Sequence, residues 1–95
     1  MARNDNVACA ANAWTQLTNA DVAAIRVQNY GAQTLALKAT VGAAPPANTD
    51  GAVGLAPGEV LAADLSLADL FPGVVGANRL YAYAYSATTA SVSHA

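Results

Sequence analysis

Three stretches of this chain alternate apolar and polar positions with the two-residue period of a β-strand. Ala23, Ile25 and Val27 fall on one face and Ala24, Arg26 and Gln28 on the other, which predicts a half-buried strand. Thr34 to Val41 repeats the pattern, with Leu35, Leu37, Ala39 and Val41 directed inward and Thr34, Ala36, Lys38 and Thr40 outward. Between them, Asn29-Tyr30-Gly31-Ala32 has residues that tolerate positive φ, so the two strands are expected to form a β-hairpin. Leu80 to Tyr85 sets Tyr81, Tyr83 and Tyr85 against Leu80, Ala82 and Ala84, and a last strand, Ala90 to His94, follows a turn at Ser86 to Thr89.

The intervening segments read as punctuation. Gly42 to Gly54 contains Pro45, Pro46 and Asp50-Gly51 and is expected to be a loop. Ala56-Pro57-Gly58-Glu59 fits a type II turn, because proline presets φ at its second position and glycine supplies the positive φ of its third. A strand over Val60 to Leu65 follows. Ser66 then precedes Leu67-Ala68-Asp69-Leu70-Phe71, a capped helical turn that Pro72-Gly73 ends and whose Leu67, Leu70 and Phe71 plug the core. Short strands joined by turns predict an all-β fold: a small antiparallel β-sandwich or barrel with one short helical turn. Residues 1–13, rich in Asn and small side chains, predict an extended, flexible N-terminal arm, leaving 14–95 as a single β-sandwich domain. Trp14 and Leu17 either anchor the start of the fold in the core or anchor the arm to a neighbouring subunit.

Composition changes the picture at one point. Only 11% of the residues are charged, against roughly 25% in an ordinary soluble domain, while 55% are apolar. With 25 alanines in 95 residues, the chain buries modest area per residue and no disulfide supports it, so a lone monomer is expected to be marginal and part of its surface to be covered by other protein. A net charge of −2 and scattered cations, Arg3, Arg26, Lys38 and Arg79, argue against nucleic acid as a partner. No export signal and no membrane span is legible, so the expectation is a soluble protein made in the cytosol with no membrane partner.

Catalytic chemistry is not legible either. Cys9, the single cysteine, reads as a small buried apolar side chain, and with one histidine there is no zinc set. His94 lies near the chain's end and reads as a surface or interface polar group rather than a catalytic base. Neither Asp64 with Asp69 nor Glu59 with Asp64 has a spacing that fixes an acid-base cleft, and Asp50, Asp64 and Asp69 lack the density of a calcium loop. Glycines 51, 54 and 58 are turn glycines without the lysine and helix of a phosphate loop. No enzyme activity, metal, cofactor or small-molecule substrate is expected.

Several pieces, taken in order, carry a resemblance: Val27-Gln28-Asn29 with Gly31, Lys38-Ala39-Thr40, Leu55-Ala56-Pro57-Gly58-Glu59, Ala68-Asp69-Leu70-Phe71-Pro72-Gly73, Ala77-Asn78-Arg79-Leu80-Tyr81-Ala82 and Val92-Ser93-His94-Ala95. Over about two thirds of its length the chain resembles small virion proteins of tailed bacteriophages, of the capsid decoration or cement type. The resemblance implies a structural β-sandwich protein that binds the outer surface of a capsid, touches the major capsid protein and neighbouring copies of itself as a homo-oligomer, and stabilises the shell. Trp14, Tyr30, Tyr81, Tyr83 and Tyr85 are the candidate contact residues, with Arg79 as an ion-pair donor. The alternative is a receptor- or carbohydrate-binding β-module of a phage fibre or spike, with the tyrosines as a sugar platform.

Overall fold

The computed structural model describes residues 2–64 and 66–95. Eight strands and one helical turn follow in chain order: β1 (Arg3–Cys9), β2 (Ala13–Gln16), β3 (Arg26–Asn29), β4 (Leu35–Thr40), β5 (Val53–Leu55), β6 (Val60–Leu61), α1 (Leu67–Leu70), β7 (Arg79–Ala84) and β8 (Thr88–His94). They form two four-stranded sheets, ordered β1-β8-β3-β6 and β2-β7-β4-β5, with every neighbouring pair antiparallel. The pairs β1/β8, β2/β7, β3/β6 and β4/β5 nest, so the first half of the chain runs back along the second as one long ribbon. Rolling that ribbon places β3 beside β8 and β4 beside β7, which is the jelly-roll form of the β-sandwich.

The period-2 pattern decides what lies between the sheets. Leu35, Leu37 and Ala39 of β4 and Leu80, Ala82 and Ala84 of β7 face the core, opposite Val27 of β3 and Ala90 and Val92 of β8. Ala82, Ala84 and Ala90 are fully buried, and their small size lets the layers approach where Leu17, Ile25, Leu35 and Leu37 supply the bulk. The predicted helical plug is present. Ser66 Oγ accepts from Asp69 N at 3.1 Å while Asp69 Oδ2 accepts from Ser66 N at 3.4 Å, a reciprocal capping box. Leu67 N donates to Ala23 O at 2.8 Å, docking the turn on the β2–β3 connection, and Leu67 and Phe71 are buried.

The N-terminal segment, expected as an arm, is part of the sheet. Every residue of β1 pairs with β8, from Arg3 opposite His94 to Cys9 opposite Thr88, and Val7 and Cys9 join the core. Strand pairing uses backbone groups, so the polar side chains of Asn4, Asp5 and Asn6 do not prevent it at a sheet edge. The expected hairpin between β3 and β4 does not form, because the two strands lie in different sheets; β4 makes its hairpin with β5 instead. Asn29, read as a turn former, is buried, and its Nδ2 donates to Gln33 O and, at 2.8 Å, to Leu55 O in the opposite sheet. Those bonds carry the chain across the layers at residues 30–34.

Strand limits differ as well. β3 starts at Arg26, leaving Ala23 exposed; β4 ends at Thr40, so Val41 is exposed rather than inward; and the strand expected over Val60 to Leu65 is the two-residue β6, with Leu65 outside the described residues. The segment expected as a loop gives its last two residues, Val53 and Gly54, to β5. The type II turn stands as expected: Gly58 has φ +80° and Glu59 N donates to Ala56 O at 2.9 Å.

Candidate interaction surface

Because Leu80, Ala82 and Ala84 fill the inner face of β7, its tyrosines are forced onto the outer face of the β2-β7-β4-β5 sheet. Trp14 of β2 stands directly opposite Tyr83, and on the other side Tyr83 faces Ala36 of β4, which in turn faces Gly54 of β5. The row therefore descends from two large rings to a methyl group and then to no side chain. An aromatic ridge over β2 and β7 overlooks a low shelf over β4 and β5. Trp14 and Tyr83 meet edge to face with centroids 5.3 Å apart at 62°, and Tyr85 continues the strip at 5.1 Å and 70° from Tyr83. Such contacts hold the rings in fixed orientations and contribute about 0.5–1.5 kcal/mol per pair beyond burial.

The six candidate contact residues divide on this geometry. Trp14, Tyr83 and Tyr85 share the outer strip, with Tyr85 exposed and the other two half-buried. Trp14 is not a core anchor; Leu17 holds that position and is fully buried. Tyr81 lies on the same face between Gln16 and Lys38, but it is only 4% exposed and its Oη donates to Gln16 Oε1 at 3.1 Å, so it supports the sheet and offers little to a partner. Arg79, at the far end of β7, is occupied by Asp21 at 2.9 Å within the chain. Tyr30 is 67% exposed on the β3–β4 connection, where its backbone N donates to Thr89 O at 2.9 Å, away from the strip.

Charge is distributed as the composition requires. Asp21, Asp50, Glu59, Asp64 and Asp69 all lie in connections or in α1, not on the strands. On the outer strand faces the cations are Arg26, the Asp21-paired Arg79, and Lys38, whose Nζ donates to Asn48 O and Oδ1 at 3.3 and 3.1 Å. The other sheet turns Asn4, Asn6, Gln28, Ser91 and Ser93 outward beside Arg26, a largely neutral polar face with one cation.

Groups with chemical potential are kept apart. Cys9 and His94 pair with opposite ends of the β1–β8 ladder, six residues apart along β8 and so roughly 20 Å from each other. Burial pushes the Cys9 thiol above its ordinary value, with hydrogen bonds from Thr15 and the Ala90 backbone opposing the shift. His94 is buried at the end of β8, not on the surface, with Nδ1 3.0 Å from Ala95 O. Among the described residues no three His, Cys, Asp or Glu side chains gather as a metal set, and no helix is long and apolar enough to cross a membrane. A largely apolar cleft of about 330 Å³ opens between the β4–β5 connection and residues 70–74, with Lys38 and Asp50 at its rim.

Sequence reasoning missed Asn29 as a keystone and Trp14 as a partner of the tyrosines. The second was findable, since Ala13-Trp14-Thr15-Gln16 has an aromatic and a long polar residue at alternate positions. Comparison with known protein families, with curated proteins and with solved structures gives no match.

Proposed function

We propose that this is a structural virion protein that binds the outer surface of a phage capsid and stabilises it. The observation that carries the reading is the outer face of the β2-β7-β4-β5 sheet: a neutral, rigid ridge of Trp14, Tyr83 and Tyr85 beside a shelf of Ala36 and Gly54, on a molecule whose carboxylates are placed almost wholly in its end loops. Aromatic anchors with little charge between them are the composition of a protein-covered surface. Jelly rolls occur in virion proteins and in lectins alike, so the topology accommodates the reading without choosing it. The sugar-platform alternative finds less support, because successive rings at 62° and 70° do not present adjoining flat faces to one ligand.

In this reading the protein works by linkage. A ligand that recognises only the assembled shell lowers that state's free energy and slows its opening, and repetition over many equivalent sites multiplies the effect. No catalytic step, cofactor or small-molecule substrate enters, and the partners are the major capsid protein and further copies of the chain. Added to shells lacking it, the protein is expected to co-sediment stoichiometrically and raise their thermal disruption temperature. Trp14→Ala and Tyr83→Ala, both outside the core, are expected to weaken co-sedimentation at least tenfold for a loss of about 1.4 kcal/mol or more. An unchanged disruption temperature with no sedimenting complex would reject the assignment.

A further inference from the structure

Between β4 and β5 the chain turns at Thr49-Asp50-Gly51-Ala52. Ala52 N donates to Thr49 O at 3.1 Å, and Gly51, third in the turn, has φ +74°. A turn of this kind pairs its outer residues and leaves the N–H of its third residue free; among the described residues nothing accepts from Gly51 N. Asp50 and Gly51 are both exposed, and a Cβ at Gly51 would meet no atom beyond its chain neighbours within 4 Å. Asp50 uses its backbone N on Asn48 Oδ1 at 3.1 Å, while among the described residues its carboxylate is held by no donor and no cation. An unheld carboxyl carbon therefore stands one peptide unit from an unheld, uncrowded backbone nitrogen.

We propose that Asp50-Gly51 is a self-modification site, where aspartate passes through a cyclic imide to isoaspartate. Rotation about the Asp50 Cα–C bond carries Gly51 N onto Asp50 Cγ, a motion that a surface turn closed by one backbone bond permits. The N–Cγ bond forms, and one carboxyl oxygen leaves as water with the hydrogen of Gly51 N and a proton from solvent. Water then opens the imide. Opening at Cγ restores aspartate; opening at the main-chain carbonyl leaves Gly51 N on Cγ and frees the α-carboxylate. The other carboxylates are withheld from this chemistry. Asp5 Oδ1 accepts from Arg3 Nε at 2.9 Å, and Asp21 Oδ1 accepts from Arg79 Nε at 2.9 Å ahead of β-branched Val22, whose N is bonded to Asn78 O. Asp69 is engaged in the capping box, with Leu70 N bonded to Ser66 O at 3.1 Å, and Asp64 precedes the bulkier Leu65. No asparagine precedes a glycine. The product adds a methylene to the backbone at the rim of the cleft that Asp50 and Lys38 border, and leaves the β4–β5 ladder from Leu35/Leu55 to Leu37/Val53 outside the change.

This inference rests on the chain alone and stands or falls separately from capsid binding. The full-length folded protein, incubated at physiological pH and temperature and then cut by trypsin after Lys38 and Arg79, is expected to give two peptides of equal mass for residues 39–79. The second is expected to accept methyl groups from S-adenosylmethionine through an isoaspartate-specific methyltransferase, and fragmentation to place the modification at Asp50. Asp50→Glu, whose larger imide closes far more slowly, is expected to lose both signals. Asp50→Asn, which expels ammonia in place of water, is expected to gain them sooner. A synthetic peptide of residues 45–56 gives the rate of the unrestrained sequence. The proposal is overturned by a folded protein that forms no isoaspartate over an incubation in which the peptide does. Equal modification at Asp5, Asp21, Asp64 or Asp69, or methyl acceptance that survives Asp50→Glu, overturns it as well.

Discussion

Gly31 sits against the start of β8 with no room for a side chain: a Cβ there would lie 1.6 Å from Thr88 Oγ1 and 2.9 Å from Thr88 Cβ. Gly31→Ala must therefore displace the β3–β4 connection or Thr88, and it is expected to cost about 1–3 kcal/mol in denaturant unfolding. Thr88 Oγ1 is itself buried without a hydrogen-bond partner, so Thr88→Ala is expected to be near neutral and to recover part of the loss in the double variant. Cys9 gives a pH prediction. Because burial raises its pKa, the folded state retains the thiol proton longer than the unfolded chain does. Its contribution is whole below the unfolded value near 9.0 and is lost as pH rises from there through the folded value. Stability measured across the alkaline range is expected to fall more steeply for wild type than for Cys9→Ala, and native Cys9 to react with thiol reagents only as fast as the molecule opens.

At the scale of elements, α1 is held by its cap more than by its length, since a single turn has no cooperative helix to fall back on. Ser66→Ala removes the acceptor for Asp69 N and is expected to cost about 1 kcal/mol. Leu67→Ala empties a buried site at the end of the sandwich and is expected to cost about 2–5 kcal/mol. β1 is the element whose role changes most from the sequence reading. Loss of residues 2–9 removes Val7, Cys9 and the whole ladder against β8, so that truncation is expected to abolish the cooperative unfolding transition rather than to trim a tether. Thermal melts followed by circular dichroism decide between those outcomes.

Across the whole molecule, the first strand pairs with the last and the second with the seventh, so nearly every sheet contact joins distant parts of the chain. Folding is expected in the millisecond-to-second range of β-sandwiches, and stopped-flow refolding monitored through Trp14 measures it. The same rolled topology keeps every carboxylate but Asp5 off the strands, while Arg26, Lys38 and Arg79 stay on the outer strand faces. One face is otherwise neutral and polar, the other bears the aromatic ridge. Under the proposed function, the face bearing the aromatic ridge is the one that meets the shell.

Local chemistry set what local chemistry can set. Alternation at 35–40 and 80–84 fixed which side chains face the core, Pro57-Gly58 fixed a type II turn, and Ser66 with Asp69 fixed a capped helical turn, because each depends on neighbours a few residues away. Scarce charge likewise showed in the chain alone. The pairing of strands did not: Asn29 reads locally as a turn former, and only the position of Leu55 in the opposite sheet makes its amide a link between layers instead of a hairpin corner. Nor do Asn4, Asp5 and Asn6 announce a strand, since an edge strand is held through its backbone by a partner more than eighty residues away. Side-chain periodicity is a property of sequence, whereas the partner that satisfies each backbone group is decided only when the ribbon rolls.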